Sequence, residues 1–276
     1  MKRIGVTHRE FDLDGGSCLR FLERKGEIDE IVFLGESKLE EIKNRNDIDQ
    51  VIFLDTTPEE KSPKFKIYDH HDSDEEITAF DILIEKKGNA GFNQEKLKEW
   101  QKLVRAADHR KCSDTMDVHK LFKKMHGIVS NDHEVYKKWF IPLFDSFFDK
   151  EENIDRGKKI FKKTILEFLR DNPDSPVGNF IYKENWLNRL EKPERELKKQ
   201  RFFFRNMLRF ISHMEPETAK TWIHLSLKAL DSFQASFLQD LEQIKKSSIE
   251  IFGNSLIVSQ VTSSRTFGDA AAHYIN

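Results

Sequence analysis

The chain has 276 residues, 38% hydrophobic and 34% charged, and its 46 lysines and arginines nearly cancel 48 aspartates and glutamates to a net charge of −2. That balance excludes the global basic field that grips long duplex nucleic acid and leaves room for a short anion held by local charges. Only two cysteines occur, Cys18 and Cys112, in no CxxC or Cys/His pattern, which argues against a disulfide framework or a structural zinc site and fits a reducing cytoplasm.

Met1-Lys2-Arg3 begins like a signal peptide, but His8, Arg9 and Glu10 follow after only a few apolar residues, so no hydrophobic core of a signal develops. No apolar run reaches the ~18 residues needed to span a membrane. Arg3 to Thr7 reads as a buried strand and Ser17 to Arg24 as a helix, with Gly26 just beyond. Ile31 to Leu34 is a second strand, Lys38 to Lys43 a short helix, Val51 to Leu54 a third strand and Phe65 to Tyr68 a fourth. Short continuous apolar strands separated by helices predict a parallel sheet covered on both faces.

From Gln94 the pattern turns helical. Gln94–Ala107 is amphipathic, and helices are predicted near Val118–Met125, His133–Phe148, Ile154–Arg170, Glu184–Ser212 and Glu217–Lys246, with the 23 phenylalanines filling their interfaces. Asn172 to Pro176 is a break. Near Ile249 the strand signal returns, first IEIF and then Leu256 to Val261, followed by the start of a helix at Asp269–Ile275. The expected organisation is an α/β domain over residues 1–130, a helical insertion over 131–246, and the start of a smaller C-terminal α/β domain over 247–276.

Four segments place acidic or imidazole groups at element ends: His8 to Gly16 after the first strand, Asp55 to Pro58 after the third, Asp69-His70-His71 after the fourth, and Ala106-Ala107-Asp108-His109 ending a helix. In open α/β sheets ligands bind beyond the carboxyl ends of the strands. Asp12, Asp14, Asp55 and Asp108 crowded together would repel one another unless a cation lies between them. Carboxylate with imidazole and no thiolate suits manganese, magnesium or cobalt. Asp12 and Asp14 are two residues apart, so an extended loop points both carboxylates the same way. Gly15 and Gly16 are expected to turn the chain tightly into the helix. Ser17 either caps that helix or meets an anion at its N-terminus.

His8-x3-Asp12-x-Asp14-Gly15, Asp55, Asp69-His70-His71 and Ala107-Asp108 resemble, in the same order, the four motifs of the DHH phosphoesterase superfamily, which includes RecJ-type exonucleases, oligoribonucleases, cyclic-dinucleotide phosphodiesterases and family II pyrophosphatases. The resemblance covers roughly the first 110 residues. It implies two divalent cations, in the first place Mn2+: one held by His8, Asp12 and Asp55, the other by Asp14, Asp55, His70 and Asp108, with Asp55 bridging. It further implies that His71 contacts the scissile phosphate or assists the leaving group and that Asp69 orients the histidines. Ser263-Ser264-Arg265 resembles the serine-arginine segment of the DHH-associated domain, where an arginine binds substrate phosphate, and a guanidinium fork suits that geometry. The glycine- and histidine-rich segment of that domain is not found before Asn276.

The expected activity is hydrolysis of a phosphodiester in a short oligonucleotide or nucleotide, with two metals activating a bridging water; Asp55 and His71 are the expected catalytic groups, and His71, Ser17 and Arg265 the expected substrate contacts. The alternatives are a polyphosphatase or pyrophosphatase, and a non-catalytic nucleotide-binding relative. A cytoplasmic protein is expected, without membrane association, and a homodimer is compatible with the sequence. His109, Arg110 and Lys111 either add cations to the cleft or form a solvated helix end. Lys198 to Arg205 mixes basic and aromatic residues that could grip single strands, but reads better as an amphipathic helix. His119, His126 and His133 recur every seven residues, yet Gly127 and Ser130 to Asp132 interrupt that helix, so they are not expected to be ligands.

Overall fold

The computed structural model describes residues 2–35, 38–71, 76–89, 91–109, 118–129, 131–183, 185–191, 202–246, 249–252 and 255–258. Its first part is an α/β layer. Strands β1 (Lys2–His8), β2 (Glu30–Leu34), β3 (Ile48–Leu54) and β4 (Phe65–Tyr68) form an all-parallel sheet in the order β2-β1-β3-β4. Helix α1 (Leu13–Arg24) joins β1 to β2, and α2 (Lys38–Lys43) joins β2 to β3. The chain therefore leaves β1 to one side and returns on the other. The gap between the ends of β1 and β3 is the topological switch point, where doubly wound sheets bind their ligands.

Strand alternation splits the sheet's burial between two faces. Ile4, Val6, Val51 and Phe53 join Ile42 and Ile48 in a small core beside α2. Ile52 and Leu54 point the other way, into a much larger core with α1. On β1 that second face carries Gly5 and Thr7. A Cβ at Gly5 would lie 2.8 Å from Ile28 and 3.0 Å from Leu19, so α1 packs down on bare backbone.

The sequence pattern leaves two helices unpredicted, the first after β4 and the second over Pro176–Lys183. α3 (Ala79–Lys87) has the apolar residues Phe80, Ile82, Leu83 and Ile84 bunched together, which gives a weak helical period. Its local signal is a capping box, in which the Thr78 hydroxyl accepts from Asp81 N–H and the Asp81 carboxylate accepts from Thr78 N–H. α4 (Gln94–Asp108) follows, capped by Asn93.

Next come α5 (Val118–Ile128), α6 (Asp132–Val135), a π-helical turn (Tyr136–Phe140), α7 (Ile141–Asp149), α8 (Ile154–Asp171), α9 (Pro176–Lys183), α10 (Trp186–Leu190), α11 (Phe202–His213) and α12 (Pro216–Lys246). The single helix expected over Glu184–Ser212 is thus two helices in the described residues. Two short strands, β5 (Ile249–Phe252) and β6 (Ser255–Val258), pair antiparallel. The helix expected at Asp269–Ile275 lies outside the described residues, as do Arg110, Lys111 and Cys112.

Aromatic side chains fill the helical interfaces. Trp139 stacks on Trp222 at 4.9 Å and on Phe122 at 5.1 Å, and Trp100 meets Phe144 at 5.1 Å. Each buried indole N–H finds an acceptor: Trp139 donates to Ser226 Oγ at 3.0 Å, and Trp222 to the Trp139 carbonyl at 3.2 Å. Phe11, from the loop after β1, enters this cluster edge-on to Phe122 at 4.9 Å and to Phe140 at 6.0 Å. The large core therefore runs unbroken from the sheet into the helices. Burying a side chain such as Phe11 contributes roughly 2–3 kcal/mol. Among the described residues, no helix is long and apolar enough to cross a membrane.

Candidate metal centre

At the switch point, His8 ends β1 and Asp55 follows β3. Asp55 adopts φ 55°, a left-handed backbone that Asp tolerates better than most residues. Glu10, in the loop after β1, shares that φ of 55°. Two non-glycine residues with positive φ, one between His8 and Asp12 and the other Asp55 itself, mark a strained edge of the kind that collects at functional sites.

Asp12 is the N-cap of α1, its Oδ1 accepting from Asp14 N–H at 2.8 Å and Gly15 N–H at 3.2 Å. This cap starts the helix at Leu13, earlier than expected, and so places Gly15 and Gly16 inside it. They serve close approach instead of a turn. A Cβ on Gly15 would collide with Thr7 Oγ1 and stand 3.7 Å from Asp55 Oδ2; one on Gly16 would lie 2.9 Å from both Phe11 and Phe140. Ser17 is fully buried; its hydroxyl donates to the Leu13 carbonyl at 2.6 Å and accepts from Trp100 Nε1 at 2.8 Å. It therefore neither caps the helix nor faces a substrate, correcting both roles expected for it.

Asp14, in the first turn of α1, is completely buried. Its carboxylate accepts from the first two amides of α3, Ala79 N–H at 2.7 Å and Phe80 N–H at 2.8 Å. That helix N-terminus was invisible to the sequence reading, and its capping box was the signal that would have found it.

Three overlapping groups gather donor atoms within 4.8 Å of one another: His8, Asp12 and Asp55; Asp14, His70 and Asp108; and Asp55, His70 and His71. Asp55 joins the first to the third, and His70 joins the third to the second. Its Oδ2 lies 3.3 Å from His8 Nε2 and its Oδ1 3.2 Å from His70 Nε2. His70 Nε2 is also 3.4 Å from Asp108 Oδ2 and 3.6 Å from Asp14 Oδ2. Thus His8, Asp12, Asp14, Asp55, His70 and Asp108 all converge. Arg265 lies outside the described residues.

Asp69 works beside this cluster. It accepts from Thr57 Oγ1 at 2.5 Å and from His70 N–H at 2.9 Å, and it meets His71 Nδ1 at 2.5 Å. His71 stacks on His70 at 4.7 Å with its side chain 62% exposed. With Nδ1 engaged by Asp69, Nε2 is the ring atom left to meet a bound molecule.

The titration pattern follows from burial and crowding. Burial and the charge of Asp55 push Asp12 up to about 6. Burial, then Asp55 and Asp12, drive Asp14 well above the carboxylate range against the pull of its two amide donors. Asp108 is raised by burial, with the charge of Asp55 adding to it. Burial opposes ionisation of Asp55 too, but its interactions with His70 and His8 win and lower it to about 2. Burial likewise disfavours a charged His8, yet Asp55, Asp12 and the Arg9 carbonyl raise it to about 9. Carboxylates and imidazoles displaced in these directions describe a site short of positive charge.

A divalent cation fits the donor set. Asp55 Oδ1 and His70 Nε2 are buried and 3.2 Å apart, but neither is aligned to make a hydrogen bond. Both direct polar atoms into one small volume, which costs free energy unless a partner shares it. Oxygen and imidazole donors without sulfur suit hard or borderline ions.

No protein-family model matches the chain, and no curated protein matches it. Among solved structures the chain is similar to the pGpG-specific phosphodiesterase PggH from Vibrio cholerae, at 14% identity over 98% of this chain and 74% of that one, with a TM-score of 0.45. That likeness is too distant to speak for the chemistry of this chain.

Proposed function

We propose that the chain is a divalent-metal-dependent phosphoesterase that hydrolyses a phosphodiester in a short oligonucleotide or nucleotide. The observation that carries this reading is the position of Asp55, one carboxylate set between His8 on one side and His70 on the other, at the switch point of the sheet. His8, Asp12 and Asp55 would hold one cation; Asp14, Asp55, His70 and Asp108 would hold the second. Such a pair supplies Lewis-acid polarisation of a phosphoryl oxygen and makes a water nucleophilic at neutral pH.

The protein's own groups do the rest. The left-handed Asp55 backbone and the Asp12 cap fix two carboxylates against rigid elements, so little reorganisation accompanies binding. Asp69 holds the His71 ring by Nδ1, leaving Nε2 to donate to the scissile phosphate or to the departing oxygen. The near-neutral chain favours a small substrate over long duplex DNA.

Hydrolysis of a panel of dinucleotides, cyclic dinucleotides, polyphosphate and pyrophosphate with added manganese, run beside Asp55→Asn, tests the proposal. Manganese-stimulated turnover of a dinucleotide that the variant loses is expected. Turnover confined to polyphosphate or pyrophosphate would replace the substrate class, and absence of turnover across the whole panel would overturn the enzyme.

A further inference from the structure

We infer that Asp81, outside the donor cluster, is a positioning residue that ties Asp14 and Asp108 to each other and so sets the geometry of the second cation site; this rests on the metal reading above. Asp81 is nine-tenths buried and both its oxygens are in use. Oδ2 accepts from Thr78 N–H and Thr78 Oγ1, each at 3.1 Å, and from Arg105 Nε at 2.6 Å. Oδ1 accepts from Gln101 Nε2 at 2.7 Å and Arg105 Nη2 at 2.9 Å.

These bonds reach two elements that each position a donor. Toward α3, Asp81 closes the capping box that leaves the Ala79 and Phe80 amides free to hold Asp14. Those amides, at the positive end of the helix, fix the carboxylate's orientation and favour its charge. Toward α4, Asp81 takes the Arg105 guanidinium as a two-pronged fork, three residues before Asp108. One helical turn separates them, so the Arg105 anchor fixes the end of α4 from which Asp108 reaches His70. Asp14, His70 and Asp108 form one of the three donor groups, and two of its three members are held through this single carboxylate. His8, Asp12 and Asp55 take their positions from β1, the α1 cap and the end of β3, whereas the hydrogen bonds of the Asp81 carboxylate, among the described residues, go to Thr78, Gln101 and Arg105.

Outer-sphere partners of this kind typically change metal affinity 10- to 100-fold when removed. The test is a manganese titration of the full chain, resolved into two sites by calorimetry and by the electron paramagnetic resonance of the free ion. Wild type should bind two ions, and Asp14→Asn should lose one of them. Asp81→Asn should weaken that same site about tenfold or more and leave the other unchanged. If Asp81→Asn does not fold, Arg105→Gln removes the fork from the more exposed partner without touching the cap, and the same one-site loss is expected. Wild-type affinity at both sites in these variants, or equal weakening of both sites as from a generally loosened fold, would overturn the inference. Wild-type protein that takes up no manganese would overturn the metal reading itself, and with it this assignment.

Discussion

His8 meets Asp55 through Nε2, at 3.3 Å, while its other nitrogen, Nδ1, lies 3.0 Å from the Arg9 carbonyl. A carbonyl oxygen only accepts, so Nδ1 carries a hydrogen in either protonation state. Nε2 is then the atom that gains or loses the proton. Protonated, it donates to Asp55; deprotonated, it offers a lone pair to a cation.

On the proposed metal reading, a proton and a divalent cation would therefore compete at one atom. A histidine whose pKa rises on folding contributes stability that is complete below its ordinary 6.5 and is lost as the pH climbs through about 9. Chelator-treated protein should lose melting temperature across that window, whereas manganese affinity should rise across it. Calorimetric titration at pH 7.5 in two buffers of different ionisation enthalpy should show proton release on manganese binding. Proton-neutral binding would contradict the arrangement.

His71 should separate turnover from metal loading. His71→Gln removes the exposed ring held by Asp69 without touching the groups around Asp14 and Asp12. Manganese content should stay at the wild-type level while kcat falls about 10²- to 10⁴-fold, the range for loss of a positioned proton donor. Loss of metal together with activity would place His71 among the ligands instead.

Gly16 should resist substitution. The Cβ of Gly16→Ala would come within 2.9 Å of Phe11 and Phe140, both fully buried. Overpacking of this kind costs about 1–3 kcal/mol. Urea denaturation should show the midpoint moving down with little change of slope. An unchanged midpoint would mean the aromatic cluster yields more easily than its packing implies.

Phe11 should affect stability and metal binding together. Phe11→Ala removes a fully buried ring beside Asp12 and should cost about 3–5 kcal/mol. Because the ring anchors the loop that carries Asp12, manganese affinity should fall as well. Phe11→Leu, closer in volume, should restore most of the stability, and whether it restores metal affinity tells anchoring apart from bulk.

The strand ends were legible because β1, β3 and β4 are short apolar runs closed abruptly by His8, Asp55 and Asp69, so sequence order alone put the donors on one edge. The spacing of Asp12 and Asp14 was misread in one respect. The two carboxylates do not share an extended loop: the first caps α1, and the second is carried down inside it. That happens because a side-chain oxygen satisfying backbone amides is stronger punctuation than two glycines. Ser17 illustrates the same limit. Nothing local reveals that Trp100, far along the chain, supplies its hydroxyl with a donor. α3 escaped notice because its apolar residues lack a clear period, and with it went the hydrogen bonds to Asp14 and the part played by Asp81.

The continuity of the large core has a practical corollary. A fragment cut at residue 130, where the sequence suggests a domain border, would strip Phe11 of Phe140 and Trp100 of Phe144. The rim bearing Asp12 would then face water over a freshly exposed aromatic surface. Trimming the helices to isolate the α/β layer should yield aggregate, and the intact chain should melt through the donor cluster and the helices at a single temperature.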